Sequence, residues 1–151
     1  MNREGEFRVA VSHDYDGDCS VDVTIVAGSF QGSGHAWLNI RDITEFAQAV
    51  QNLATTSKGQ AVLRGGYASN DRPTHPTVDV NLRPHGSRGH LLVTAELASD
   101  PISLDAQIFV VSRITGGIIV EPAALARFAR TLTDIPKGTG TEAVVRGESA
   151  A

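Results

Sequence analysis

A chain of 151 residues with 41% apolar and 20% charged residues has the size and composition of one globular domain, long enough to bury a core without metal or disulfide staples. The formal net charge of −4 and the absence of any Lys/Arg run argue against nucleic acid as a partner, since phosphate binding needs a concentrated basic surface. Cys19 is the only cysteine, so no intramolecular disulfide forms and a reducing cytoplasm is the expected setting.

The polar start, Met1 to Glu6, has no apolar region of a signal peptide. No apolar stretch reaches the ~18 residues that cross a bilayer, so no membrane partner is expected. Phe7, Val9 and Val11 then alternate with Arg8, Ala10 and Ser12, and Cys19, Val21, Val23 and Ile25 alternate with Ser20, Asp22 and Thr24, the period of two half-buried strands. A two-residue Asp16-Gly17 turn between them would set Val11 opposite Asp22 and mix apolar and acidic residues on one face. A three-residue loop, Tyr15-Asp16-Gly17, instead pairs Val11 with Val21, Val9 with Val23 and Phe7 with Ile25, and places Gly17 where a positive φ is needed.

Gly28, Gly32 and Gly34 weaken the next stretch and point to a bulge or a close backbone approach within a third strand ending near Trp37-Leu38. Asn39 reads as the N-cap of a helix, with Asp42 completing a capping box. Ile43, Phe46, Ala47, Val50 and Leu53 form that helix's apolar stripe. An echo follows later in the chain: with Phe128 laid on Phe46, Leu125 falls on Ile43, Ala129 on Ala47, Leu132 on Val50 and Ile135 on Leu53. Pro122 then falls on Ile40, at the first helical position that favours proline.

Residues 55–76 carry little pattern beyond a short extra strand at 60–64, with loop chemistry at Gly65-Gly66, Asn70-Asp71-Arg72-Pro73 and His75-Pro76. Val78, Val80 and Leu82, then Leu91, Val93, Ala95 and Leu97, predict a second hairpin around a loop at 85–88. A turn at 98–101 leads into a single strand through Ile102, Leu104, Ala106, Ile108 and Val110, and Gly116-Gly117 breaks the chain before Ile118. Pro136 stops the second helix.

These elements predict an α+β fold of duplicated β-β-β-α units, an antiparallel sheet with two helices packed on one face. One domain spans 1–136, with repeat one at 6–54, a connector at 55–76 and repeat two at 77–136; residues 137–151 are expected to be a disordered tail. The structural core is expected at Ile43, Phe46, Val50, Leu53, Leu125, Phe128, Leu132 and Ile135.

No residue set is convincing as a catalytic centre, a metal site or a cofactor site. Asp14, Asp16 and Asp18 alternate like the opening of a calcium loop, but Cys19 and Ile25 occupy its glycine and glutamate positions, which leaves an acidic hairpin tip. His13 falls opposite Cys19, yet a nucleophile also needs an orienting group and a cleft, so Cys19 reads as a small hydrophobe of the sheet. Gly28 to Gly34 lacks the Gly-Lys-Ser/Thr ending of a phosphate loop. His85, Arg88 and His90 have no acidic ligand nearby in the sequence, and Arg83 is expected to pair with Glu96 across the hairpin's outer face. Apolar residues on the outer strand faces, Leu92, Phe109 and Val111 with Val26, together with Trp37, form a candidate interface.

The phrase Gly34-His35-Ala36-Trp37-Leu38-Asn39-Ile40-Arg41-Asp42 followed by Phe46-Ala47-Gln48-Ala49-Val50 resembles small bacterial proteins of unknown function grouped with the immunity-type proteins that neutralise secreted or contact-delivered toxins. The resemblance extends over residues 7–135. It implies a non-catalytic cytoplasmic binding protein and carries over no functional residues, because the matched positions look structural. The reading from sequence is therefore a protein-interaction domain acting on a partner or on itself as a homodimer. The alternative is a small-molecule-binding protein or enzyme with a pocket where residues 26–36 and 60–76 meet the sheet, lined by His35, Tyr67 and His75.

Overall fold

The computed structural model describes residues 3–13, 17–69, 72–104, 107–110, 112–137 and 141–150. The first hairpin joins β1 (Glu4–His13) to β2 (Asp18–Ala27), with Val11 opposite Val21, Val9 opposite Val23 and Phe7 opposite Ile25, the register that parity demands. Gly17 takes a φ of 79°, and Asp14, Tyr15 and Asp16 lie outside the described residues. Gly28 at a φ of 65° starts the turn into β3 (Phe30–Asn39).

Helix α1 (Ile40–Thr56) begins with the expected capping box: Asn39 Oδ1 accepts from the Arg41 N–H, and Asp42 Oδ2 accepts from the Asn39 N–H. Then come β4 (Ala61–Ser69), β5 (Arg72–His85) and β6 (His90–Ala98). The short strand expected at 60–64 is thus longer, because β4 pairs along β5 through two register shifts, at Gly65/Gly66 and Tyr67/Ala68. His85 pairs with His90, so the second hairpin's loop is Gly86 to Gly89, one residue later than expected. Its apolar faces are unchanged, since the pairing moves by two positions.

The strand expected through 102–110 is instead a separate hairpin of β7 (Ile102–Leu104) and β8 (Gln107–Phe109). Strand β9 (Arg113–Val120) runs through Gly116 and Gly117 rather than breaking there. After it, α2 (Pro122–Asp134) and a short 3-10 turn (Ile135–Lys137) lead to β10 (Glu142–Ser149). Part of the supposed tail is therefore an interior strand: β10 pairs with β1 from Glu148 to Glu142 and with β9 at Ile118 and Ile119.

The result is an α+β arrangement, an eight-stranded antiparallel sheet in the order β3-β2-β1-β10-β9-β6-β5-β4 with two helices. The strand pairing between the halves β3-β2-β1-β10 and β9-β6-β5-β4 is short, two residue pairs of β10 with β9, so the sheet folds there and its apolar face turns inward. A Cβ on Gly116 of β9 would lie 3.3 Å from Ile25 of β2, a strand three places away in the sheet. The helices fill the same interior: Phe7 and Phe128 meet with ring centroids 5.6 Å apart. Ile43, Phe46, Val50, Leu53, Leu125, Phe128, Leu132 and Ile135 are all buried in one cluster with the inward residues of the strands. Each such large side chain stabilises the fold by roughly 1.5–3 kcal/mol before ordering entropy is counted.

Candidate interaction surface

Strand alternation sends Gly34 and Ala36 of β3 inward and His35 and Trp37 outward. The inward side is tightly held. A Cβ on Gly34 would overlap the Thr77 carbonyl oxygen, and the Thr77 hydroxyl, buried itself, donates to the His35 carbonyl. Strand β3 therefore lies against the opposite half of the folded sheet, which is the close approach its glycines imply. Packing behind the strand thus orients the residues in front of it.

On the outer side Trp37 stands opposite Ser20, and His35 opposite Asp22. Trp37 is 60% exposed, an unusual position for the largest side chain. The His35 ring meets it at right angles, 5.9 Å between centroids. The imidazole is held in turn by Asp22: His35 Nδ1 donates to Asp22 Oδ1 at 2.9 Å. An ionised carboxylate only accepts, so this contact puts the ring proton on Nδ1. Asp18, opposite Asn39, extends the same face. Farther along, on β1 and β10, Arg8 meets Glu142 at 3.1 Å and Glu6 at 3.4 Å, and Arg146 meets Glu6 at 3.3 Å.

The other candidates read from the sequence separate. Leu92 is half-buried on β6, as is Val26 on β2. Phe109 belongs to β8, which pairs with β7 alone, and so is not on the large sheet; Val111 lies outside the described residues. The expected continuous patch is thus not assembled, because the stretch read as one strand folds back on itself. Glu96 pairs with Arg113 rather than with Arg83, whose backbone neighbour across the hairpin is Leu92.

His13 and Cys19 are backbone partners, but each side chain has its polar contact elsewhere: His13 Nε2 lies 3.3 Å from the Ile135 carbonyl oxygen, and the Cys19 thiol donates to the Leu38 carbonyl oxygen at 3.3 Å. Burial pushes the thiol pKa up, and the nearby carboxylates of Asp42 and Asp18 push it further the same way. That is the opposite of an activated nucleophile. His90 does find an acid, with Glu121 Oε1 3.2 Å from its Nε2, brought there by the start of α2. Among the described residues no group of three or more His, Cys, Asp and Glu side chains is placed to hold a metal ion.

Sequence reasoning missed two features. Phe30 is 59% exposed and borders an open depression of about 290 Å³ with Ala27, Thr94, Thr115, Gly116, Gly117 and Ala150. The Asp22–His35 contact was accessible in principle: a two-residue Gly28-Ser29 turn fixes the β2–β3 register and places those two residues opposite each other. No protein-family model matches the chain, and neither a curated protein nor a solved structure matches it significantly.

Proposed function

We propose that this chain is a non-catalytic protein-interaction domain that works through the outer face of β2 and β3 around Trp37. The observation that carries the reading is the exposed indole itself, supported by His35 and Asp22 on a strand whose back is locked into the core. Tryptophan contributes disproportionately to binding at protein interfaces, and an anchor ordered before contact loses little entropy on binding. The resemblance of Gly34 to Asp42 and Phe46 to Val50 to immunity-type proteins agrees with this role and would place it in a bacterial cytoplasm.

The fold itself is, on this reading, a duplication of a unit one strand longer than β-β-β-α. Supporting it, β1-β2-β3-α1-β4 and β5-β6-β9-α2-β10 follow the same order apart from the β7–β8 hairpin, and each unit's last strand pairs with the other unit's first.

The test compares wild type with Trp37→Asp, first confirming an unchanged circular dichroism spectrum and melting temperature. Affinity capture from cells that express the protein should recover a partner with wild type and lose it with the variant. Identical recovery by both would refute the surface. A second reading, a small apolar ligand seated beside Phe30 over Gly116 and Gly117, is favoured by the depression there; native mass spectrometry showing a bound small molecule, lost in Gly117→Leu, would support it.

A further inference from the structure

The surface around Trp37 carries one dominant sign of charge. Trp37 stands opposite Ser20, so Asp18 and Asp22, two residues to either side of Ser20 on the outward face of β2, flank it, and neither β2 nor β3 carries a Lys or Arg. Asp22 is 62% exposed and Asp18 is exposed, and both lie on the outward face of β2 beside Trp37's strand. The arginines of the neighbouring strands, Arg8 and Arg146, are already in contact with Glu6 and Glu142.

We propose that this face seats an arginine or lysine side chain of a protein partner, the cation resting on the Trp37 indole within reach of Asp22 and Asp18; the proposal rests on the interaction reading above. An indole face attracts a cation through its quadrupole, and a carboxylate beside it adds a charge-assisted hydrogen bond. Neither group does this alone as well as the pair. His35 keeps both in place, touching the indole and holding Asp22.

The same charges select against other occupants. A two-fold contact between copies of this chain is self-complementary, so it would bring the acidic face of one copy onto that of the other. Like charges opposed in an interface are costly, which makes a second copy the poorer fit. An acidic peptide or a phosphate backbone would meet the same repulsion.

Trp37 is the only tryptophan, so its emission reports on this site directly. The experiment titrates the full chain with a short alternating Gly-Arg peptide and, separately, with a Gly-Glu peptide of equal length. The Gly-Arg peptide should change Trp37 emission saturably, bind about three- to ten-fold more weakly to Asp22→Asn, and weaken further as salt is raised. The Gly-Glu peptide should leave the emission unchanged. Silence toward Gly-Arg at millimolar concentration, or equal affinity in Asp22→Asn, overturns the proposal. Saturable binding of Gly-Glu at Trp37 overturns the cationic occupant while leaving the interaction surface standing. So does a concentration-dependent dimer, seen by sedimentation, that Trp37→Asp abolishes.

Discussion

At the scale of single residues, the positions that matter most are those where the two halves of the sheet touch. Gly34 has the Thr77 carbonyl oxygen where a side chain would begin. Backbone cannot yield as a flexible side chain does, so Gly34→Ala should cost about 1–3 kcal/mol in urea unfolding, whereas Ser33→Ala, on the exposed side of the same strand, should stay within about 0.5 kcal/mol. Cys19 offers a pH test. Its thiol pKa is raised by burial, so the native state holds that proton more tightly than the unfolded chain does. The resulting stability is fully present below the unfolded thiol's pKa, about 8.5, and is lost as pH rises through the higher native value. Cys19→Ala should therefore lose less stability than wild type between neutral and alkaline pH. Ellman's reagent at neutral pH should label the native thiol no faster than global opening allows. The surface ion pairs at Arg8, Arg146 and Arg113 enter this balance weakly, at roughly 1 kcal/mol or less each.

At the scale of elements, the two helices share an apolar stripe but not a start. Asn39 caps α1 through its side chain, whereas Glu121 makes no side-chain cap bond and α2 relies on proline in its first turn. Asn39→Ala should cost about 0.5–2 kcal/mol. Both stripes face the common interior, so Phe46→Asp or Phe128→Asp would strand a carboxylate among Phe7 and its neighbours. Neither variant should give a soluble protein with a cooperative melt; one that did would refute this packing. Much of this level was legible beforehand. The helix spans, the Asn39–Asp42 box and the register of β1 with β2 follow from local patterns, in which neighbours a few residues apart make the contacts.

At the scale of the molecule, β10 closes the fold. It lies between β1 and β9 and joins the two halves of the sheet by strand pairing, with Ala143 and Val145 buried and Gly147 pressed against the Ile119 carbonyl oxygen. A chain ending at residue 137 would leave the edge of β1 unpaired and the core open. It should not fold, as judged by loss of dispersed amide resonances; a folded product would mean that β10 is dispensable. The strand that holds the molecule together is also among those contacting the earliest part of the chain. That long-range pairing adds contact order, a feature that slows folding.

Local periodicity settled which residues face inward along the helices and the first hairpin, and which residues begin α1. It also brought Trp37 into question as a surface residue without settling its facing. Other features needed the folded chain. Glu142 to Ser149 has few apolar side chains, and its place comes from pairing with strands more than a hundred residues away on one side and about thirty on the other. Gly116-Gly117 reads locally as a break, but Gly116 is where Ile25 and Ala27 approach from the opposite half. Trp37 faces outward because Gly34 and Ala36 behind it are pressed against that half. A sequence window records propensity and alternation, whereas these placements depend on which distant backbones can approach closely, and that is a property of the folded sheet alone.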